Sequence, residues 1–198
     1  MLRHNFKCAA VLFYVEVDKM SKDIENNALS KNQLNEQVPC LTKGAHTIEI
    51  TGGKLEYFVH AEIKPNSVIP VFFHAALDRR KIILPRFEGG GLCQKYGMTG
   101  LSFADPELYM YDMCSLAWFV GNDRFYNLQK EIHNFLLKIE KAYNLTFVFH
   151  GGSGGGFASL VQKSFFPHKH FAIVQNPQTN IFELSPAHTK NYFSYVSG

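Results

Sequence analysis

Thr146-Phe147-Val148-Phe149-His150-Gly151-Gly152-Ser153-Gly154-Gly155-Gly156-Phe157-Ala158-Ser159-Leu160 sets five glycines around one serine. The apolar run Phe147-Val148-Phe149 predicts a strand, and Phe157 to Phe165 predicts a helix directly after it. Between them, Gly151-Gly152-Ser153-Gly154-Gly155 fits the spacing G-x-S-x-G, the strand-turn-helix corner that lifts a serine into reach of a substrate. The turn is tight, so residues two positions either side of the serine must be small. Gly151 and Gly155 meet that need, and Gly152, Gly154 and Gly156 widen the clearance. A helix beginning there would aim unpaired N–H groups and a positive dipole end at the serine.

Two other glycine motifs compete for the same stretch. A phosphate-cradling P-loop requires G-x-x-x-x-G-K-[ST], but Phe157-Ala158 follows the glycines and the next lysine is Lys163. A dinucleotide fingerprint requires G-x-G-x-x-G, and either frame puts a non-glycine, Phe157 or Ser159, at its third position. A plain flexible loop with an idle serine is the remaining reading.

A chain of 198 residues is long enough for one domain with a substantial core. Apolar residues make up 46% and charged residues 19%, which places it among globular proteins rather than disordered ones. A net charge of +3 argues against a nucleic-acid partner, and the cluster Arg79-Arg80-Lys81 reads as a solvated loop. The 18 phenylalanines predict heavy aromatic packing. Cys8, Cys40, Cys93 and Cys114 include no C-x-x-C pair, so they read as free thiols in a reducing compartment, and a cytoplasmic location is expected. No metal site and no cofactor is expected; His168 and His170 have no third ligand nearby in sequence. Ala9 to Val15 is too short to span a bilayer and reads as a buried strand, so no integral membrane segment is expected.

Residues 1–45 are expected to form an N-terminal strand plus a polar linker, and 46–198 the main domain. Thr47 to Ile50, Gly52-Gly53 and Leu55 to Val59 predict a β-hairpin. Val68 to Phe73 predicts a buried central strand, with shorter strands at Ile82 to Pro85 and Gly100 to Phe103. Asp105-Pro106-Glu107 marks a turn, and Leu116 to Val120 reads as a helix end or an apolar wall. Residues 126–143 carry the clearest helical period, a helix is expected over 156–166, and His170 to Val174 predicts a strand. This alternation implies an α/β domain with a mostly parallel sheet.

A serine hydroxyl is a weak nucleophile near neutral pH and needs a base, a group that orients the base, and donors for the oxyanion. Ser153 is the candidate nucleophile. The backbone N–H of Gly154 is one candidate oxyanion donor; Ala75 and Ala76, after the Val68–Phe73 strand, are the candidates for the other. Glu183 and His188 keep the order serine, acid, histidine, but five residues leave no room for a strand and helix between them. The domain is therefore expected to be C-terminally incomplete. Asp105, Asp112 and His150 are the other polar residues able to approach the serine.

From about His46 onward the chain resembles the α/β-hydrolase superfamily, with the glycine corner as the specific feature. Phe72-Phe73-His74-Ala75-Ala76, Leu84-Pro85-Arg86-Phe87, Ala104-Asp105-Pro106, Ala117 to Asn122 and Asn176-Pro177-Gln178-Thr179-Asn180 are similar to segments of hydrolase-fold proteins from bacterial capsule and surface-glycan loci, which include O-acetyltransferases. The resemblance implies a three-layer fold, an acyl-enzyme on Ser153, and a small-molecule or glycan ester as substrate. Two other functions remain open. One is a non-catalytic hydrolase-fold protein of polysaccharide biosynthesis or glycan binding; the other is an anion-binding domain using the helix N-terminus. The oligomeric state is left undetermined.

Overall fold

The structure is a computed structural model that describes residues 39–166, 168–181, 189, 190, 192 and 194. The expected strand at Ala9 to Val15, Cys8, and the candidate acid and base Glu183 and His188 lie outside the described residues.

Six strands form one mixed sheet: β1 (Gly44–Ile50), β2 (Gly53–Val59), β3 (Val68–Phe73), β4 (Leu101–Phe103), β5 (Thr146–Gly152) and β6 (Phe171–Gln175). The helices α1 (Gly90–Tyr96), α2 (Leu128–Tyr143) and α3 (Ser153–Phe165) accompany them. The spatial order is β1-β2-β4-β3-β5-β6. β1 pairs antiparallel with β2, closed by Gly52 and Gly53 at φ 91° and 156°, and β2 pairs antiparallel with β4. β4, β3, β5 and β6 run parallel.

Alternation along the strands splits the side chains between two faces. Ile69, Val71 and Phe73 of β3, Phe147 and Phe149 of β5, and Tyr57 and Phe103 are buried toward α2 and α3. Phe135 of α2 meets the rings of Tyr57 (centroids 4.7 Å apart) and Phe103 (5.6 Å). On the opposite face, Phe58 and Phe72 are covered by residues 82–100. Phe58 packs on Phe87 (5.4 Å), and Gly100 lies against Cys93 of α1 and Phe72. Helices thus flank the sheet on both sides, the three-layer α/β-hydrolase-like architecture. No helix among the described residues is long and apolar enough to cross a membrane. Cys40, Cys93 and Cys114 are free thiols.

Four expectations are corrected. Ile82 to Pro85 is not a strand: the N–H groups of Lys81 and Ile82 both fold back onto the Asp78 carbonyl (2.9 Å each), leaving Ile83 90% exposed. α3 begins at Ser153 rather than at 156. β1 begins at Gly44, inside the expected linker. Arg79 is not a solvated charge, since its Nη1 donates to the carbonyls of Leu108 (2.8 Å) and Cys114 (3.0 Å).

His133 of α2 is an internal misfit. Its ring is buried against Phe165 and Phe166, neither ring nitrogen has a partner, and burial pushes its pKa down to about 4. A buried polar group without a hydrogen bond costs about 1–3 kcal/mol, so His133→Leu is expected to raise the urea-unfolding free energy by about that amount. The gain should grow as pH falls below about 6.5, where the unfolded histidine takes up a proton that the folded one refuses.

Candidate active site

The carboxyl ends of the four parallel strands share one edge of the sheet, where open α/β sheets place their ligands. His74 follows β3, Asp105 follows β4, Ser153 follows β5 and Gln178 follows β6.

Ser153 is the first residue of α3 and sits at φ 51°, a backbone conformation that costs a non-glycine residue about 1–3 kcal/mol. Its residue is half-buried. The surrounding glycines are there for close approach. A Cβ on Gly151 would lie 2.8 Å from Gly156 N, and closer still to the Gly155 carbonyl group. One on Gly155 would lie 2.7 Å from the His74 carbonyl oxygen and closer still to that of Phe73. One on Gly154 would meet the Leu116 side chain. Gly152, the helix N-cap, has no side chain to cap the first turn, so the Gly154 N–H carries no side-chain cap.

The turn after β3 is fixed by His74. The Asp105 backbone N–H donates to His74 Nε2 (3.3 Å), so the proton is on Nδ1, which donates to the Ala75 carbonyl (2.9 Å). Burial pushes the His74 pKa down to about 4, keeping the ring neutral. Because the Ala75 carbonyl is held, the planar peptide aims the Ala76 N–H the opposite way. Ala75 is half-buried and Ala76 exposed.

Ser153 has an unanticipated partner. Gln178 Nε2 donates to Ser153 Oγ (2.7 Å), the Gln178 backbone N–H donates to the Ser153 carbonyl (3.1 Å), and Gln178 Oε1 accepts from Trp118 Nε1 (2.5 Å). The sequence marked Gln178 only as part of the Asn176 to Asn180 segment and gave it no role; a neutral amide carries no titratable signature.

Leu116 to Val120 is neither helix nor simple wall. Trp118 and Phe119 are both fully buried and both at positive φ, 56° and 58°. Asp105 and Glu107 hold this segment. Asp105 Oδ2 accepts from Phe119 N (2.8 Å) and Oδ1 from Glu107 N (3.1 Å). Glu107 accepts from Gly121 N (2.6 Å), Asn122 Nδ2 (3.2 Å) and the Tyr192 hydroxyl (2.8 Å). Gln129 of α2 donates to the Phe119 carbonyl (2.8 Å). Asp105 is therefore a structural anchor, as is Glu107, which the sequence marked only as part of a turn.

Burial pushes both carboxyl groups above their usual range; the Asp105 charge raises Glu107 further, and the surrounding donors pull both back. Glu107 is the group built to take a proton, because the Tyr192 hydroxyl can turn to a second acceptor, the Gly121 carbonyl (3.2 Å). Folded pKa values above the unfolded ones contribute stability that is present at low pH and lost as pH rises through the folded values. Above about pH 6.5 the buried histidines His74, His133 and His170 are neutral in either state, so the carboxyl pair controls the slope. The unfolding free energy is expected to fall from there toward about pH 9, by up to about 1.4 kcal/mol per pH unit for each proton released. Glu107→Gln should flatten that fall in urea titrations.

The remaining candidates lie elsewhere. His150 packs its ring against Phe72 (5.4 Å) on the opposite face of the sheet from Phe149. His170 accepts the Phe147 N–H on Nδ1 (2.9 Å), and His168 is exposed. Asp112 is exposed. Among the described residues no histidine or carboxylate hydrogen-bonds Ser153 Oγ, and no three His, Cys, Asp or Glu side chains cluster as metal ligands.

No family model and no curated protein matches the chain. Solved structures do. The chain is similar to the capsule O-acetyltransferase of Neisseria meningitidis serogroup A, with 18% identity and a TM-score of 0.52, covering 77% of this chain and 58% of that one. A second structure of that enzyme, in complex with caged gadolinium, gives 17% identity, a TM-score of 0.50, and coverage of 77% and 59%. An acetyl xylan esterase from Aspergillus awamori gives 14% identity, a TM-score of 0.39, and coverage of 66% and 50%. The chain thus spans less than two thirds of the length of these proteins, and the likeness to the capsule enzyme is one of fold.

Proposed function

We propose that this protein carries out serine-dependent acyl transfer or ester hydrolysis, with Ser153 as nucleophile. The observation that carries the reading is Ser153 at φ 51°, half-buried, at the junction of β5 and an uncapped α3. Strain of that kind persists where the surrounding packing over-determines it, and such positions concentrate at reactive sites. Ser153 Oγ attacks the ester carbonyl, the Oγ–H proton passes to a base, and the acyl group is held on Oγ until water or an acceptor hydroxyl takes it. The Gly154 N–H at the start of α3 and the Ala75–Ala76 turn after β3 are the proposed donors to the oxyanion. Glu183 and His188 are the proposed acid and base, in the order serine, acid, histidine.

The capsule O-acetyltransferase likeness makes a polysaccharide hydroxyl or its ester the favoured substrate class, with transfer to sugar preferred over transfer to water. The test is labelling with a fluorophosphonate probe. Ser153 should be labelled, Ser153→Ala should not be, and intact wild-type protein that stays unlabelled refutes the reading. A second, non-catalytic reading, retention of glycan on a hydrolase-like fold, is favoured by one observation: Ser153 Oγ accepts from the neutral amide of Gln178. Unlabelled protein that retains acetylated glycan would support it.

A further inference from the structure

We propose that Gln178 is a further catalytic residue, donating a hydrogen bond to the attacking oxygen of Ser153, and that Trp118 is the positioning residue that fixes the direction of that bond. The proposal rests on Ser153 being the nucleophile. It goes beyond that reading by naming a group that acts on the same atom and is neither base nor oxyanion donor.

The direction follows from the chemistry of the three groups. An indole N–H donates and never accepts. Trp118 Nε1 lies 2.5 Å from one terminal atom of the Gln178 amide, so that atom must be the oxygen. The other terminal atom is then the NH₂ group, and it faces Ser153 Oγ at 2.7 Å. An NH₂ group can only donate, so Oγ accepts. The serine's own hydrogen is thereby turned away from Gln178 and left for a base.

Each member of this relay is held independently. Trp118 is fully buried, set edge-to-face against Tyr192 (5.5 Å), in the segment pinned through Phe119 and Gly121 by Asp105 and Glu107. Gln178 is held through its main chain, whose N–H donates to the Ser153 carbonyl. Side chain and backbone of Gln178 thus both grip Ser153, and the Nε2–H cannot swing away without losing the indole.

During attack the Oγ–H bond breaks and the proton passes to a base, which leaves alkoxide character on Oγ; as the Oγ–C bond forms, that electron pair enters the bond and the charge moves to the carbonyl oxygen. A donor already in place on Oγ favours the alkoxide form over the neutral hydroxyl. When the acyl group later departs, the Oγ–C bond breaks and its electron pair returns to Oγ, where the same N–H receives it. With a fluorophosphonate the balance is Oγ–P formed, P–F broken, fluoride released and the proton taken by solvent base.

The test compares labelling rates and their pH dependence for wild type, Gln178→Leu, Gln178→Glu and Trp118→Phe. Gln178→Leu removes the donor and should slow labelling about 10- to 100-fold, moving the pH profile upward. Gln178→Glu keeps the size but replaces the donor with an acceptor. It should be at least as slow as Gln178→Leu at high pH and recover as pH falls and the new carboxyl is protonated. Trp118→Phe keeps the packing, frees the amide to rotate, and should fall between wild type and Gln178→Leu. Trp118 is the chain's single tryptophan, so a changed emission in Gln178→Leu reports loss of the indole bond directly. Wild-type rates and pH profiles in both Gln178 variants would overturn this proposal while leaving Ser153 as nucleophile. Unlabelled wild type would overturn both.

Discussion

Gly155→Ala is expected to cost about 3–5 kcal/mol in urea unfolding and to abolish labelling of Ser153. At an ordinary helix position the same change stabilises, because alanine loses less backbone entropy than glycine. Here the added methyl carbon meets backbone, not side chain: the carbonyl group of Phe73 and the carbonyl oxygen of His74. Those atoms belong to the end of β3, which is paired with β5 from Val68 opposite Thr146 to Phe73 opposite Gly151. They cannot retreat without parting the two central strands or lifting α3 off the sheet. Gly156→Ala should be milder, since its nearest neighbour is the Pro177 side chain at 3.0 Å. Gly91→Ala is the control. It lies in α1 with nothing within 4 Å of the added carbon and should gain up to about 1 kcal/mol.

Glu107→Ala is the second large effect. The half-buried Gly121 N–H and Asn122 amide lose their acceptor, the Tyr192 hydroxyl keeps the Gly121 carbonyl, and a cavity opens beneath the Trp118 segment. Each donor left unpaired costs about 1–3 kcal/mol and the cavity adds to it, so a total of about 3 kcal/mol or more is expected. Glu107→Gln keeps an oxygen for Gly121 and an NH₂ for the Tyr192 hydroxyl, which can turn to the Gly121 carbonyl. It should retain most of the stability. The two variants also separate packing from chemistry. The alanine form should slow Ser153 labelling by loosening Trp118, whereas the glutamine form should label at close to the wild-type rate.

The parts of this fold that were legible in the sequence are those governed by local rules. Gly52-Gly53 between two alternating runs gives the hairpin, because only glycine adopts both turn conformations without strain. The apolar stripe from Leu128 to Tyr143 gives α2. G-x-S-x-G gives the corner at Ser153, because a Cβ on Gly151 would strike the backbone of Gly155 and Gly156 within the same turn. What escaped was set by partners distant in sequence. Ile82 to Pro85 is the local exception: its residues are strand-like, but the Asp78 carbonyl four residues back captures the Ile82 N–H first. Asp105-Pro106-Glu107 reads as a turn, and Asp105 does cap one, accepting from Glu107 N; that both carboxylates are buried under residues 118–121 depends on tertiary packing. Gln178 meets Ser153 only because β6 delivers it to the end of β5, and nothing about an isolated amide forecasts that.

The β3–β5 pairing also governs how fast the protein can reach its native state. It joins segments separated by β4, α1 and α2, so a long stretch of chain must be closed into a loop before the central contacts repay the lost entropy. Folding should accordingly be slow for a domain of this size. The positive-φ turn at Ser153 has no local interactions that would hold it alone, so it gains its strained shape only once that distant pairing is made. A nascent or partly refolded chain would carry the serine without its reactivity, and recovery of labelling would report completion of folding rather than its onset.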